Sequence, residues 1–203
     1  MKISHIVLFG SLFFFISCKS HDATNAQKKL TVTDSSIQKN EPVNFFPVTN
    51  YIKGQIYEIR NGGMNPFRIV TSPGHKDSGW LKMESLDKEV ADFLTPEIDS
   101  ANLISLFSET KFIDQTLDAL TLTYDPIKTL PDSLLLKHWD IYIDPTKGTV
   151  KSVYILKKLP GNKTQQLTWS AGKSCNIKTI AEDTSGRPSI EKEITIKWNP
   201  SEK

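Results

Sequence analysis

From residue 111 onward the apolar residues of this chain recur at every second position, and that period admits little besides a β-sheet with one buried face. Leu120, Leu122 and Tyr124 alternate with Thr121 and Thr123. Leu135, Lys137, Trp139, Ile141 and Ile143 share one face of the next run. Asp144-Pro145-Thr146-Lys147-Gly148 supplies a turn, and residues 149–156 return as the second arm of a hairpin. A further turn at Leu159-Pro160-Gly161-Asn162 leads to strands near 165–170 and 175–181, and residues 182–188 read as a loop. In the last strand Ile190, Ile194, Ile196 and Trp198 point inward while Glu191, Glu193, Thr195 and Lys197 point outward. Only Lys192 breaks that alternation.

Between residues 44 and 110 the spacing is helical. Val48, Tyr51, Ile52, Ile56 and Ile59 recur at steps of three and four, with Pro47 suited to a first turn and Asn61-Gly62-Gly63 to a stop. Two short strands are expected at 66–71 and 79–83, separated by a loop over 72–78 that is dense in turn formers. Leu86, Val90, Phe93 and Leu94 mark a second helix capped by Ser85. Thr95-Pro96-Glu97 reads as the start of a third, with Ile98, Ala101, Leu106 and Phe107 on its buried side. Helices first and turn-linked strands after predict an α+β fold, with N-terminal helices packed on a mostly antiparallel, meander-like sheet. One sheet face should be covered. The other should be wet, as Thr164, Gln166, Thr168 and Ser170 along one strand suggest. Residues 44–203 have the size of one domain.

The start of the chain gives an address. Lys2 precedes an apolar stretch over residues 6–16, which as helix spans about 16 Å at 1.5 Å per residue. A bilayer core is roughly 30 Å thick, so a signal-peptide core fits better than a permanent span. The stretch ends at Phe15-Ile16-Ser17-Cys18. That tetrapeptide resembles the lipobox of bacterial lipoproteins, with Ser17 at the small position and Phe15 where Leu is usual. The resemblance implies that residues 1–17 are removed and that Cys18 takes diacylglycerol on sulfur and becomes the N-terminus. Several acyl chains on one residue suffice for stable anchoring, so the membrane is met through this lipid alone. The non-acidic Lys19 is, in that family, the mark of sorting to the outer membrane. Residues 18–43 are mostly polar without a sustained period, and read as a disordered tether. With its phenylalanine-rich signal the chain resembles uncharacterised Bacteroidota envelope lipoproteins. Helices against a curved antiparallel sheet also resemble the lipoprotein-carrier half-barrels, a likeness of fold class that transfers no function.

Composition narrows the function classes. The balance is 25 basic against 23 acidic side chains, and Lys2 is the only one of these before Cys18. Such a chain offers no electrostatic case for binding nucleic acid or anionic lipid. With Cys18 committed to lipid, Cys175 has no intramolecular partner, and its alternation with Ile177 makes it a small buried apolar side chain. No Gly-x-Ser-x-Gly motif occurs. Gly172-Lys173-Ser174 imitates the end of a phosphate loop, but Leu167 stands where the first glycine is required and a strand follows instead of a helix. Ser-x-x-Lys matches are too many to mean anything. The four tryptophans, Trp80, Trp139, Trp169 and Trp198, sit in strand runs beside aliphatic residues and are expected in the core.

Metal chemistry has few donors. Of four histidines, His5 lies in the signal peptide and His21 in the tether, and no Cys-x-x-Cys or His-x-x-Glu-His spacing occurs. His75-Lys76-Asp77 falls in a turn-rich loop. The one constellation that could serve as an acid–base or divalent-ion set is on a strand face, where His138, Asp140, Tyr142 and Asp144 alternate. The plainer alternative is a solvated strand face, with Asp144 opening the following turn. No catalytic set stands out and no cofactor is implied. The expectation is therefore a lipid-anchored envelope protein acting as a non-catalytic binding or accessory module, its partner a small apolar ligand, a glycan or another envelope protein. The alternative is a hydrolase or metal-dependent enzyme using His138, Asp140 and Asp144.

Overall fold

The computed structural model of the protein describes residues 44–198. Cys18, the lipobox and the tether lie outside the described residues.

The period-two runs become one sheet of nine strands, every neighbouring pair antiparallel: β1 (Phe67–Ser72), β2 (His75–Trp80), β3 (Phe107–Asp114), β4 (Ala119–Pro126), β5 (Leu136–Ile143), β6 (Val150–Leu159), β7 (Lys163–Ser170), β8 (Ser174–Glu182) and β9 (Pro188–Lys197). Their order is β2-β1-β9-β8-β7-β6-β5-β4-β3. From β3 to β9 the chain is thus an unbroken meander, and the β1–β2 hairpin is added beyond β9. Short connections make this order natural: four of the six in the meander have three to five residues, and loops that short can join only antiparallel neighbours.

Helix is confined to the N-terminal side and is scarcer than the spacing predicts. α1 (Val48–Asn61) forms as expected, burying Val48, Thr49, Ile52, Ile56 and Ile59. The second helix shrinks to α2 (Leu86–Glu89) between two 3-10 turns, Met83–Ser85 and Ala91–Leu94, and Ser85 makes no side-chain cap. The sheet takes the hydrogen bonds that a longer helix would have used. The buried ammonium of Lys157 donates to the carbonyls of Asp92 and Thr95, and the Gln165 amide donates to the Asp92 carboxylate at 2.7 Å. Thr95 is extended, as a residue before proline tends to be, so no helix begins there. α3 (Ser100–Leu103) starts later, where the Asp99 carboxylate accepts the Asn102 N–H at 3.0 Å. Phe107 opens β3 and does not close a helix.

Three further differences trace to turns and bulges. The expected loop at 72–78 is mostly β2: Pro73-Gly74 closes the hairpin in two residues, Ser72 opposite His75, with Gly74 at φ +72°. Its residues look loop-like because β2 is an edge strand exposed along its whole length. In β5, Leu136 pairs with Lys157 while His138 pairs with Leu156, so Lys137 is an extra residue. That bulge turns Leu136 into the core in place of Lys137. In β9, Lys192 pairs with Thr179 and Ile190 with Ile180, leaving Glu191 extra. Ile190, expected inward, is consequently 46% exposed.

The core joins α1, the short helical turns and the inward sheet rows in one cluster. Its centre is aromatic. Trp139 stacks on Tyr124 with ring centres 4.5 Å apart, and Phe107 and Phe45 meet it edge-on. Trp169 receives Phe93 edge-on at 5.2 Å and lies 4.9 Å from Trp198. Trp80 departs from expectation: it sits on β2, 66% exposed, edge-on to Phe67 at 5.1 Å. Among the described residues no helix is long and apolar enough to cross a membrane.

The β9 bulge yields a paired test. Ile196→Ala should cost about 2–5 kcal/mol in urea-unfolding stability, as a fully buried side chain does. Ile190→Thr should stay within about 0.5 kcal/mol. A large loss at Ile190 would mean that β9 keeps the simple alternation.

Candidate functional site

With the helical segment on one face, the other face carries three cross-strand rows of mostly polar residues. Register places Thr110, Thr123, Asp140, Tyr154, Thr168, Asn176 and Thr195 in the middle row. Asp125, His138, Leu156, Gln166, Lys178 and Glu193 flank it on one side. Phe112, Thr121, Tyr142, Ser152, Ser170 and Ser174 flank it on the other.

Asp140 is the hub of this face. It is only 9% exposed, and a carboxylate that buried has to be bonded or neutralised. Its Oδ1 accepts the Thr123 hydroxyl at 2.7 Å from β4. Its Oδ2 accepts His138 Nε2 at 3.0 Å and the Tyr142 hydroxyl at 3.2 Å, both from two positions away on β5. His138 Nδ1 lies 2.8 Å from Asp125 Oδ1 on β4. An ionised carboxylate only accepts, so a ring held between two of them carries a proton on each nitrogen. The His138 pKa is accordingly raised to about 8, above all by the bond to Asp140, against the opposing effect of burial and with help from Asp125. Burial would raise Asp140, but the bonds from His138 and Thr123 and the imidazolium charge outweigh it and hold the carboxyl below its ordinary value. Burial and then the Asp140 charge push Tyr142 up to about 12, and the same two causes raise Tyr154. Tyr142 therefore stays protonated and donates to Asp140. The Tyr154 ring lies tilted beside the His138 ring, with centres 6.2 Å apart.

The sequence singled out His138, Asp140, Tyr142 and Asp144. The structure brings the first three together and gives Asp144 a different task. Asp144 Oδ1 accepts the backbone N–H groups of Thr146 and Lys147 at 2.9 and 3.0 Å, holding the β5–β6 turn. Those backbone bonds also lower its pKa. Thr123, Asp125 and Tyr154 were missed. They lie on neighbouring strands, and the polar alternation of Thr121, Thr123 and Asp125 was visible without the register that aligns it.

Among the described residues no group of three or more His, Cys, Asp or Glu side chains is arranged to hold a metal ion. Both His138 nitrogens are committed to carboxylates, leaving neither lone pair to a cation. Cys175 is buried opposite Ile196, and burial pushes its thiol up to about 12, so it packs as a small apolar group. His75 and Asp77 lie exposed on β2. A shallow groove beside α1, lined by Lys53, Ile56, Tyr57, Arg60, Asp87 and Leu94, has both basic side chains engaged, Lys53 with Glu97 and Arg60 with Asp87. Comparison with protein-family models, with curated proteins and with solved structures finds no match to this chain.

The His138 latch predicts a pH dependence with a definite sign. Its pKa is about 8 folded and 6.5 unfolded, so its contribution is complete below pH 6.5 and is lost as pH rises through 8. The urea midpoint of the wild type should fall between pH 6.5 and 8.5, and that slope should vanish in His138→Gln. An unchanged slope in the variant would show that His138 is not a doubly held imidazolium.

Proposed function

We propose that this chain is a lipid-anchored protein of the bacterial cell envelope, a non-catalytic binding or accessory module that presents the open face of its sheet to a partner. The anchor is the acylated Cys18, and Lys19 favours the outer membrane. The polar stretch 18–43 spaces the folded part, an α+β unit with its helices on one sheet face, from the bilayer. The membrane is met through the lipid alone. What recognises a partner is the Asp140 face, and the partner is a small apolar ligand, a glycan or another envelope protein, not nucleic acid.

One observation carries the choice of binding over catalysis. In the Asp140 cluster both ring nitrogens of His138 and both carboxylate oxygens of Asp140 are engaged within the protein. A general base needs a free lone pair and a hydrolytic metal needs open donors. Here the His138 ring is clamped on both sides and Asp144 is occupied in a turn. Such a network fixes side chains in place, which lowers the ordering cost of binding.

Two measurements test the reading. Cells fed radioactive palmitate should label the wild-type protein and not Cys18→Ser; an unlabelled wild type removes the anchor. A photo-crosslinking residue replacing Thr168 or Gln166 should yield adducts with envelope material in living cells, and one replacing Tyr57 on α1 should yield none. Adducts from Tyr57 alone would place recognition on the opposite side of the protein.

A further inference from the structure

The exposed apolar side chains are not scattered. Of the eight large ones among the described residues, five (Ile104, Phe112, Ile113, Leu117 and Ile127) lie in β3, in the β3–β4 turn or in the segments that flank this hairpin. β3 is also an edge, paired with β4 on one side and with no described strand on the other. An eight-residue edge that is unpaired and exposes Phe112 and Ile113 at one end is a template for strand addition. We infer that β3 pairs with β3 of a second copy of this chain, joining the two sheets about a two-fold axis through Thr110.

Hydrogen-bond parity and charge together choose the register. β3 and β4 pair with Phe107 opposite Pro126, and the Ile127 N–H donates to the Leu106 carbonyl at 3.0 Å. The even positions of β3 therefore bond to β4, and Phe107, Glu109, Lys111 and Ile113 aim their backbone groups outward. An antiparallel self-pairing must match these odd positions with one another. Centring it on Glu109 or on Lys111 would set like charges face to face, which destabilises a sheet. Centring it on Thr110 sets each Glu109 opposite the partner copy's Lys111. In that register Ile113, 70% exposed, lies opposite Phe107 of the other copy, at the strand end where Ile104 and Ile127 are exposed. Each copy's exposed strand end thus meets the other's apolar start. Lys111 already pairs with its own Glu109 at 2.9 Å, so the junction would hold an alternating set of four charges. The inference does not depend on what the open face binds.

Cysteine cross-linking of the detergent-solubilised full chain tests it. Across the axis the two Thr110 residues form a non-hydrogen-bonded pair, with Cα atoms about 4.5 Å apart, inside the range a disulfide spans. Two Ser108 residues would be roughly 14 Å apart along the strand, beyond that range. Under mild oxidation Thr110→Cys should give a disulfide dimer well above the wild-type level, which sets the baseline for Cys18 and Cys175, and Ser108→Cys should not. Adding Lys111→Glu or Ile113→Lys to Thr110→Cys should reduce the dimer at least tenfold, with an unchanged circular-dichroism melt showing that each variant still folds. The inference is overturned if Thr110→Cys dimerises no more than Ser108→Cys, or if neither added substitution lowers its yield; β3 would then be bare or meet a different partner.

Discussion

Two indoles, Trp139 on β5 and Trp169 on β7, hold the segment before β3 to the sheet, and the sidedness of the whole molecule follows from them. Both are completely buried, and each is met by a ring from that segment, Phe45 against Trp139 and Phe93 against Trp169. Large rings in edge-on contact add about 0.5–1.5 kcal/mol per pair beyond the area they bury. Their own N–H groups find no acceptor among the described residues, as is also true of Trp198. Each such group costs on the order of 1–3 kcal/mol. The apolar contact has to exceed that cost, which ties these positions to large aromatic residues.

Once one face is committed to this core, alternation commits the other to polar residues, and nine strands make it broad. Breadth creates an electrostatic problem. A carboxylate on an inner strand of a wide sheet, flanked by Tyr142 and Tyr154, is partly screened from water and needs local compensation. Thr123, His138 and Tyr142 provide it from one strand away and from two positions along the same strand. Asp140 in turn, with Asp125 as the second carboxylate, keeps His138 charged. Each member is explained by the one before it, so the cluster is an outcome of sheet geometry as much as of any ligand's demand.

The alternation of hydrophobicity revealed the meander, the covered face and half of the Asp140 cluster. What it concealed depends on register. A bulge adds one residue and reverses every later side chain, and neither Lys137 nor Glu191 announces itself as that residue. Cross-strand neighbours such as Thr123 and Asp140 become neighbours only when the strands are aligned. The second and third helices are shorter than their spacing predicts: Phe93, Leu94, Leu106 and Phe107 are apolar at helical steps, whereas Lys157 holds the carbonyls of Asp92 and Thr95, and Gln165 the Asp92 carboxylate, against the sheet. His75-Lys76-Asp77 looked like a loop for the reason that makes it a safe edge: it is polar on both faces.

That contrast between edges bears on how the sheet ends. β2 carries a histidine, a lysine, an aspartate and a glycine, a composition that discourages a neighbouring strand, and its one large side chain, Trp80, rests on Phe67 within the same hairpin. β3 also carries charge, but Glu109 and Lys111 are two apart, so they repel a strand in most registers and attract a reversed copy of themselves in one. A lysine that guards an edge against arbitrary partners can in this way select a single partner. The exposed Ile113 and Phe112 would be a liability on a strand meant to stay bare, whereas β2, with the same unpaired backbone, exposes one large apolar side chain, Trp80, at its end and against Phe67. The two ends of one sheet have been treated oppositely, which is the pattern expected where one edge is closed by protection and the other by pairing.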